Sequence, residues 1–427
     1  MIQPNSGRAI LEKDSYMKIT SKRMSNLATI LGLILGLILG VAAAKTAYGE
    51  APNPAVTIST DFPGANVAVI KNENGSVVLA PDLRGDKPWF YWCFEAQALQ
   101  PGRVNFVLPD KVIGFKNGAI GFQGPAISTD LGKSWKWMGT KNVDGPSFFF
   151  EFTKQNERVR FAVTIPYLQS NLEAFLKKNA ANPHLKKSVL AKSRHDRDVE
   201  LLQIGKPGPQ VKAVLVTGRH HATETIASFV LEGFLQAAMS KSSAGAEFRK
   251  KYLLYCVPFV DKDGVEEGDQ GKNRKPHDHN RDYGEKSLYP EIQAIKKLDK
   301  EQRFRFTLDF HCPTLVMPDH QVMYFVGPKD HPRYNFDNVK ELAGWIKKGL
   351  PKNAPVGPLV WLKPVKTPKP MNSHFFGFKE TTIMAATLEM PFAPPGKATD
   401  PASCRKYGQV ILNAWVNTHF LAADATK

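Results

Sequence analysis

From about Thr57 to Tyr167 the hydrophobic and polar positions alternate in short runs broken by Gly, Pro, Asn and Asp, as in VAVIKNENGSVVLAPDL, KPWFYWCFEAQAL, PSFFFEFTK and VRFAVTIPYL. A period of two with turn residues between the runs predicts an antiparallel β-sandwich. The stripe Trp89, Phe90, Tyr91, Trp92 and Phe94 is read as the core of that sandwich, with a carbohydrate platform as the alternative. After Asn171 the period changes. LEAFLKKN, TIASFVLEGFLQAAM and EIQAIKKLDK carry helical spacing, whereas VELLQIGK, VKAVLVTG, KYLLYCVPFV and FRFTLDFHC read as buried strands. Strands alternating with helices predict an α/β domain with a largely parallel or mixed central sheet, whose strand carboxyl ends hold the chemistry. The chain is thus divided into a sandwich at 57–170 and an α/β domain at 171–427, preceded by a linker at 45–56.

The first 44 residues follow another pattern. Arg8, Lys13, Lys18, Lys22 and Arg23 precede an uncharged run, LATILGLILGLILGVAAA, at 27–44. A basic region, an apolar region and an Ala-x-Ala exit describe a secretory signal peptide. Eighteen apolar residues can also just span a bilayer, and Gly32, Gly36 and Gly40 repeat a helix-packing spacing, so a membrane anchor is the alternative. Either reading predicts a periplasmic or extracellular location, with membrane contact only through an uncleaved 27–44 segment.

Composition narrows the class. The chain has 427 residues, 42% hydrophobic and 10% aromatic, which is ample for buried cores. Its net charge of +17 admits an acidic partner, but the basic residues are spread out and no RNA-binding motif, zinc finger or phosphate loop accompanies them. A nucleic-acid partner is therefore not expected. Four scattered cysteines, Cys93, Cys256, Cys312 and Cys404, do not make a disulfide scaffold or a cysteine-ligated metal knot.

Candidate chemistry gathers where the α/β strands end. In Arg219-His220-His221-Ala222-Thr223-Glu224-Thr225 a strand gives way to a helix, and His221 and Glu224 are three residues apart, an offset that lets both face one ion. Spacing alone leaves His220 and His221 interchangeable, because His220 stands four residues from Glu224. His311 closes the strand LDFH. Two His and one Glu with an open fourth position form a hydrolytic zinc set. Such a site also needs a proton acceptor and cations for developing charge. Glu389 at the end of TIMAATLE is a carboxylate with little structural reason to be there. Asn273-Arg274 and Asp278-His279-Asn280-Arg281 offer an amide and guanidinium forks.

These motifs, in order, resemble the zinc metallocarboxypeptidases: Arg219-x-His221-x-x-Glu224-Thr225, Asp278-x-Asn280-Arg281, Asp309-x-His311 and Thr387-Leu388-Glu389. The branch they resemble most is the cytosolic carboxypeptidase subfamily, which carries a β-sandwich before its catalytic domain; GKSWKWM and VRFAVTIPYLQSNLEAFL look like that domain and its junction. The resemblance covers about residues 55 to 420. It implies a carboxypeptidase-like α/β domain at 171–427 and one zinc ion per chain on His221, Glu224 and His311. Glu389 would be the general base, Arg274 the oxyanion cation, Asn280 and Arg281 the grip on the C-terminal carboxylate, and Asp278 the support of a ligand imidazole.

There are departures. His220 and Ala222-Thr223 replace the commoner Val and Pro-Gly, His279 stands where Leu is usual, and no tyrosine is found about twenty residues before Glu389. Lys369, His374 and Lys379 are candidates to attract an acidic C-terminal side chain. The substrate implied is a peptide with a free C-terminal carboxylate, with acidic and cell-wall-derived peptides as the candidates. A zinc amidase of N-acyl amino acids and a degenerate, non-catalytic binding protein are the alternative functions.

Overall fold

Apolar residues, many of them aromatic, that face inward from short strands build the first half of the fold. The structure is a computed structural model that describes residues 55–421 except 84–88, 110–119, 273, 316–320, 329–334, 356, 358–359, 363–368, 395 and 397–398. The 27–44 segment and most of the expected linker thus lie outside the described residues. Within Pro54–Lys427, one compact unit, two five-stranded sheets come first. One runs β1 (Val56–Ser59), β4 (Cys93–Ala98), β10 (Glu157–Ala162), β6 (Ala126–Ser128) and β7 (Lys136–Trp137). The other runs β2 (Ala68–Glu73), β3 (Ser76–Ala80), β5 (Gly102–Val107), β9 (Ser147–Phe152) and β8 (Val143–Asp144).

The alternating aromatics meet between these sheets. Phe94 lies 5.3 Å from Phe106, and Phe106 lies 5.1 Å from Phe161, centroid to centroid. Phe90, Tyr91, Trp92 and Phe94 are all buried, which resolves the stripe as core. All strand pairs of the two sheets are antiparallel except β3 with β5, which run parallel.

The second half is a mixed eight-stranded sheet in the order β11 (Leu185–Lys192), β12 (Asp198–Ile204), β14 (Tyr252–Val257), β13 (Lys212–Gly218), β15 (Phe306–His311), β18 (Met384–Glu389), β16 (Tyr324–Pro328), β17 (Val360–Leu362). The four central strands, β14, β13, β15 and β18, are mutually parallel and buried nearly throughout, which explains why they read as continuous apolar runs. Their carboxyl ends are Val257, Gly218, His311 and Glu389, side by side along one sheet edge. Helices cover the sheet: α1 (Gln169–Lys178), α2 (Thr225–Met239), α3 (Ser243–Lys251), α4 (Lys262–Glu267), α5 (Pro290–Gln302), α6 (Asn335–Gly349), α7 (Asn372–Gly377) and α8 (Pro401–Asn417). Helices α2 and α8 cross where Gly233 and Gly408 let the backbones touch: a Cβ on Gly408 would collide with the Val230 carbonyl, and one on Gly233 with the Arg405 carbonyl.

The two halves share one core. Phe90 packs edge-on against Phe392 at 5.6 Å. The Gln270 side chain closes both hydrogen bonds of the Tyr91 backbone, at 2.9 and 3.0 Å. Arg219, fully buried, donates to the Tyr167 carbonyl at 2.8 Å.

Candidate metal centre and active site

Strand β13 ends at Gly218, and Arg219 turns the chain with a left-handed φ of 60°. A turn closed by Glu224 N–H to the His221 carbonyl (3.2 Å) then leads into α2. Glu224 is the N-cap of that helix, yet its side chain caps nothing. The carboxylate instead faces both histidines: Oε1 is 2.8 Å from His221 Nδ1, and Oε2 is 2.7 Å from His311 Nδ1. One ligand atom from each of the three residues lies within 4.8 Å of the others. The offset of three thus works through the turn before the helix rather than through a helical face. His220 is sent the other way, into the sheet.

Each ligand ring is held from behind. His221 Nε2 lies 3.1 Å from both oxygens of Asp278, and His311 Nε2 lies 2.7 Å from Asp309 Oδ2. A carboxylate on the outer nitrogen fixes the tautomer and leaves Nδ1 for a metal. Burial opposes ionisation of Glu224, but His221 and His311 hold it well below the usual carboxylate range. Burial likewise opposes a charge on His311, and Asp309 and Glu224 override it, raising its pKa well above the ordinary imidazole value. Burial pushes His220 down, so its ring is neutral. Two imidazole nitrogens and a carboxylate oxygen converging from buried side chains are a donor set that fits zinc.

Glu389 pairs in register with His311 across parallel strands. Its Oε2 is buried and, among the described residues, has no hydrogen-bond partner. Burial raises its pKa; His311 opposes the rise and Glu224 adds to it. Tyr324 stands opposite Glu389 on the antiparallel side.

Asp278, Asn280 and Arg281 arrive together on a short 3-10 turn, His279–Arg281, whose N-cap is Asp278. Asn280 is buried with Nδ2 3.4 Å from His311 Nε2. Arg281 is largely exposed and donates to the Asn280 carbonyl at 2.7 Å. Arg274 is not brought to the metal ligands. Its guanidinium is committed to Asp261 and, at 3.2 Å, to Asp269, and it lines a separate cavity with Arg194, His195 and Lys275. The neighbouring Lys272 has its ammonium 5.8 Å over the Trp89 ring. Gly271, at φ 81°, lies so close to His221 and Ala222 that a Cβ would strike their backbones, and the charge of Lys272 bears on His221, Asp278 and Glu389.

The three basic residues near α7 also separate. Lys379 pairs with Asp299 and lies over Phe375, away from the site. His374 is buried and accepts the Lys369 N–H at 2.8 Å, and the charges of Lys369 and Arg281 both reach it.

Sequence reasoning missed Asp309 as a support, although its position two residues before His311 on one strand puts both on the same face. It also missed Lys272, Tyr283 and Asn372, for which no local pattern exists.

Comparison with known proteins agrees with this geometry. Residues 172–354 match the family model Peptidase_M14, zinc carboxypeptidase. Cytosolic carboxypeptidase 2 of Xenopus tropicalis is 30% identical over 223 residues, 47% of this chain and 23% of that protein. Cytosolic carboxypeptidase 6 of Caenorhabditis elegans is 24% identical over 245 residues, 52% of each chain. The chain therefore spans about a quarter to a half of these relatives. A metallo-carboxypeptidase crystal structure from Burkholderia cenocepacia superposes with a TM-score of 0.72 at 18% identity, over 85% of this chain and 98% of that one, a likeness of fold.

The relatives correct one expectation. Those matched are named as cytosolic enzymes, which overturns the periplasmic or extracellular location inferred from 27–44. The apolar run misled because hydropathy alone does not separate an export leader from other apolar segments. Among the described residues no helix is long and apolar enough to cross a membrane. In sequence over 172–354 the chain is similar to the zinc carboxypeptidases of the Peptidase_M14 family, and in fold to metallo-carboxypeptidases.

Proposed function

We propose that this protein is a zinc-dependent carboxypeptidase that removes the C-terminal residue of a peptide, with His221, Glu224 and His311 holding one zinc ion. The observation that carries the reading is the convergence of two Nδ1 atoms on the Glu224 carboxylate beside the unpartnered Oε2 of Glu389. Zinc, when bound, polarises the scissile carbonyl and acidifies a water.

The residues of the chain supply the rest. Glu389 accepts a proton from the attacking water and delivers it to the departing amine; its raised pKa suits both steps. Asn280 donates Nδ2–H to the terminal carboxylate and Arg281, free to move at the surface, grips the same group. Lys272 provides the cation for the developing oxyanion, the part first expected of Arg274, which is neutralised by two aspartates. Asp278 and Asp309 hold the ligand rings. Lys369, His374 and Arg281 favour an acidic C-terminal side chain.

The test is mass spectrometry of a peptide pool with varied C-terminal residues, incubated with zinc-loaded protein and with Glu389→Gln. Loss of one terminal residue, acidic ones fastest, is expected only with the parent protein, and the variant should lose about 1,000-fold in kcat while retaining zinc. A pool left intact while N-acyl amino acids are consumed would replace the peptidase reading with the amidase one.

A further inference from the structure

Hydrolysis on a His-Glu-His set needs no imidazole beside the first ligand, yet His220 stands there, fully buried and with both ring nitrogens engaged. Nδ1 lies 2.8 Å from Asp309 Oδ1, and Nε2 lies 2.8 Å from the Tyr283 hydroxyl. On one side the chain of bonds runs on through Asp309 Oδ2 to His311 Nε2 at 2.7 Å. On the other, the Tyr283 hydroxyl accepts from Asn372 Nδ2 at 3.1 Å, and the Asn372 backbone N–H donates to Asn280 Oδ1 at 2.8 Å.

A single assignment of protons satisfies every bond from Asp309 through His220 and Tyr283 to Asn280 Oδ1. The Asp309 carboxylate only accepts, so His220 Nδ1 carries the proton and Nε2 accepts. Tyr283 must then donate into Nε2, which leaves its lone pair for the Asn372 amide. Because Asn372 occupies Asn280 Oδ1, the Asn280 side chain cannot flip, and its Nδ2 is the end presented toward the site. The path joins the end of β13, β15, the turn around Asn280 and α7, segments far apart in sequence.

We propose that His220, with Tyr283 and Asn372, is a positioning relay that couples the orientation of the zinc ligand His311 to that of the carboxylate-binding amide of Asn280. This rests on the roles proposed above for His311 and Asn280. Its rival is a second metal site, because His220, Asp309 and His311 also bring ligand atoms within 4.8 Å of one another.

The experiment measures zinc stoichiometry, zinc affinity, KM, kcat and thermal melting for the holoenzyme and for Tyr283→Phe, His220→Asn, His220→Val and the double variant His220→Val/Tyr283→Phe. Removing the hydroxyl alone is expected to raise KM about fivefold with a smaller change in kcat. The shorter carboxamide introduced by His220→Asn can stand in for Nδ1 but cannot reach Tyr283, so this variant should keep zinc affinity within about twofold while KM rises as in Tyr283→Phe. His220→Val should weaken zinc about tenfold as well. The double variant should raise KM no further than His220→Val alone, whereas independent roles would multiply. Folded Tyr283→Phe and His220→Asn proteins with unchanged KM would overturn the relay. So would two zinc ions in the parent and one in His220→Val. Should the parent cleave no peptide, the reading of the function fails separately, and equal zinc affinity in His220→Val and His220→Asn would still sink the relay.

Discussion

At the scale of single residues the site is a set of carboxylates that orient imidazoles. His311 is held protonated in the metal-free protein against the pull of burial, because Asp309 and Glu224 flank it. Zinc must displace that proton, so the sign is fixed: affinity falls as pH drops below the His311 pKa and rises as pH climbs toward it. The expected dependence is about tenfold in apparent affinity per pH unit for each proton displaced, read from competition titrations and from proton release in buffers of different ionisation enthalpy. A flat profile would show that the imidazole is already neutral. Lys272→Met is expected to lower kcat about 100-fold with zinc content unchanged, since a cation aimed at developing charge acts in the transition state. The proposed ligands and Glu389 can be named from the sequence because their residue types and order are local. The part proposed for Lys272 cannot be, because it rests on the close approach of the neighbouring Gly271 to His221 in the fold.

At the scale of elements, the site is a row of strand ends. Parallel pairing of β13, β15 and β18 sets Gly218 beside Phe310 and His311 beside Glu389, so the registers of three strands align the chemistry. The helix that begins with Glu224 is pinned by its crossing with α8. Substituting Gly408→Ala forces a Cβ into the Val230 carbonyl, and the helices must part. We expect a loss of about 3 kcal/mol, seen as a lower melting temperature, with a weaker zinc site because α2 carries Glu224. The apolar runs predicted the central strands and α2 correctly. β11 escaped notice because LKKSVLAK is an exposed edge strand whose lysines carry no hydrophobic period.

At the scale of the molecule, the sheets of the first half brace the loop that carries Lys272. Gln270 sits between Tyr91 and Gly271, and its amide satisfies a buried backbone N–H and C=O at once. Gln270→Ala removes both hydrogen bonds, for a cost of about 3 kcal/mol in a single cooperative melting transition. The same change frees the Gly271-Lys272 turn, and kcat/KM should fall about tenfold alongside the melting temperature. A variant that melts early but turns over normally would separate the brace from the site. A common core explains why the expected boundary near residue 170 is crossed by hydrogen bonds: Thr225 Oγ1 donates to the Ile165 carbonyl at 2.7 Å, one residue into the helix that bears Glu224.

The sequence by itself determined the alternation that makes two aromatic-filled sheets, the apolar runs that make a buried parallel core, and the order of His221, Glu224, His311 and Glu389. These are properties of period and residue type, and they survive without knowledge of what lies across a gap. Only the tertiary structure gives His220 and His221 different surroundings. A left-handed turn at Arg219 sends one ring toward Glu224 and the other toward Asp309 and Tyr283. It also removed Arg274 from the candidate site residues, because its guanidinium is taken by Asp261 and Asp269. The partners that engage His220 lie 89 and 63 residues away, and no local pattern encodes that choice.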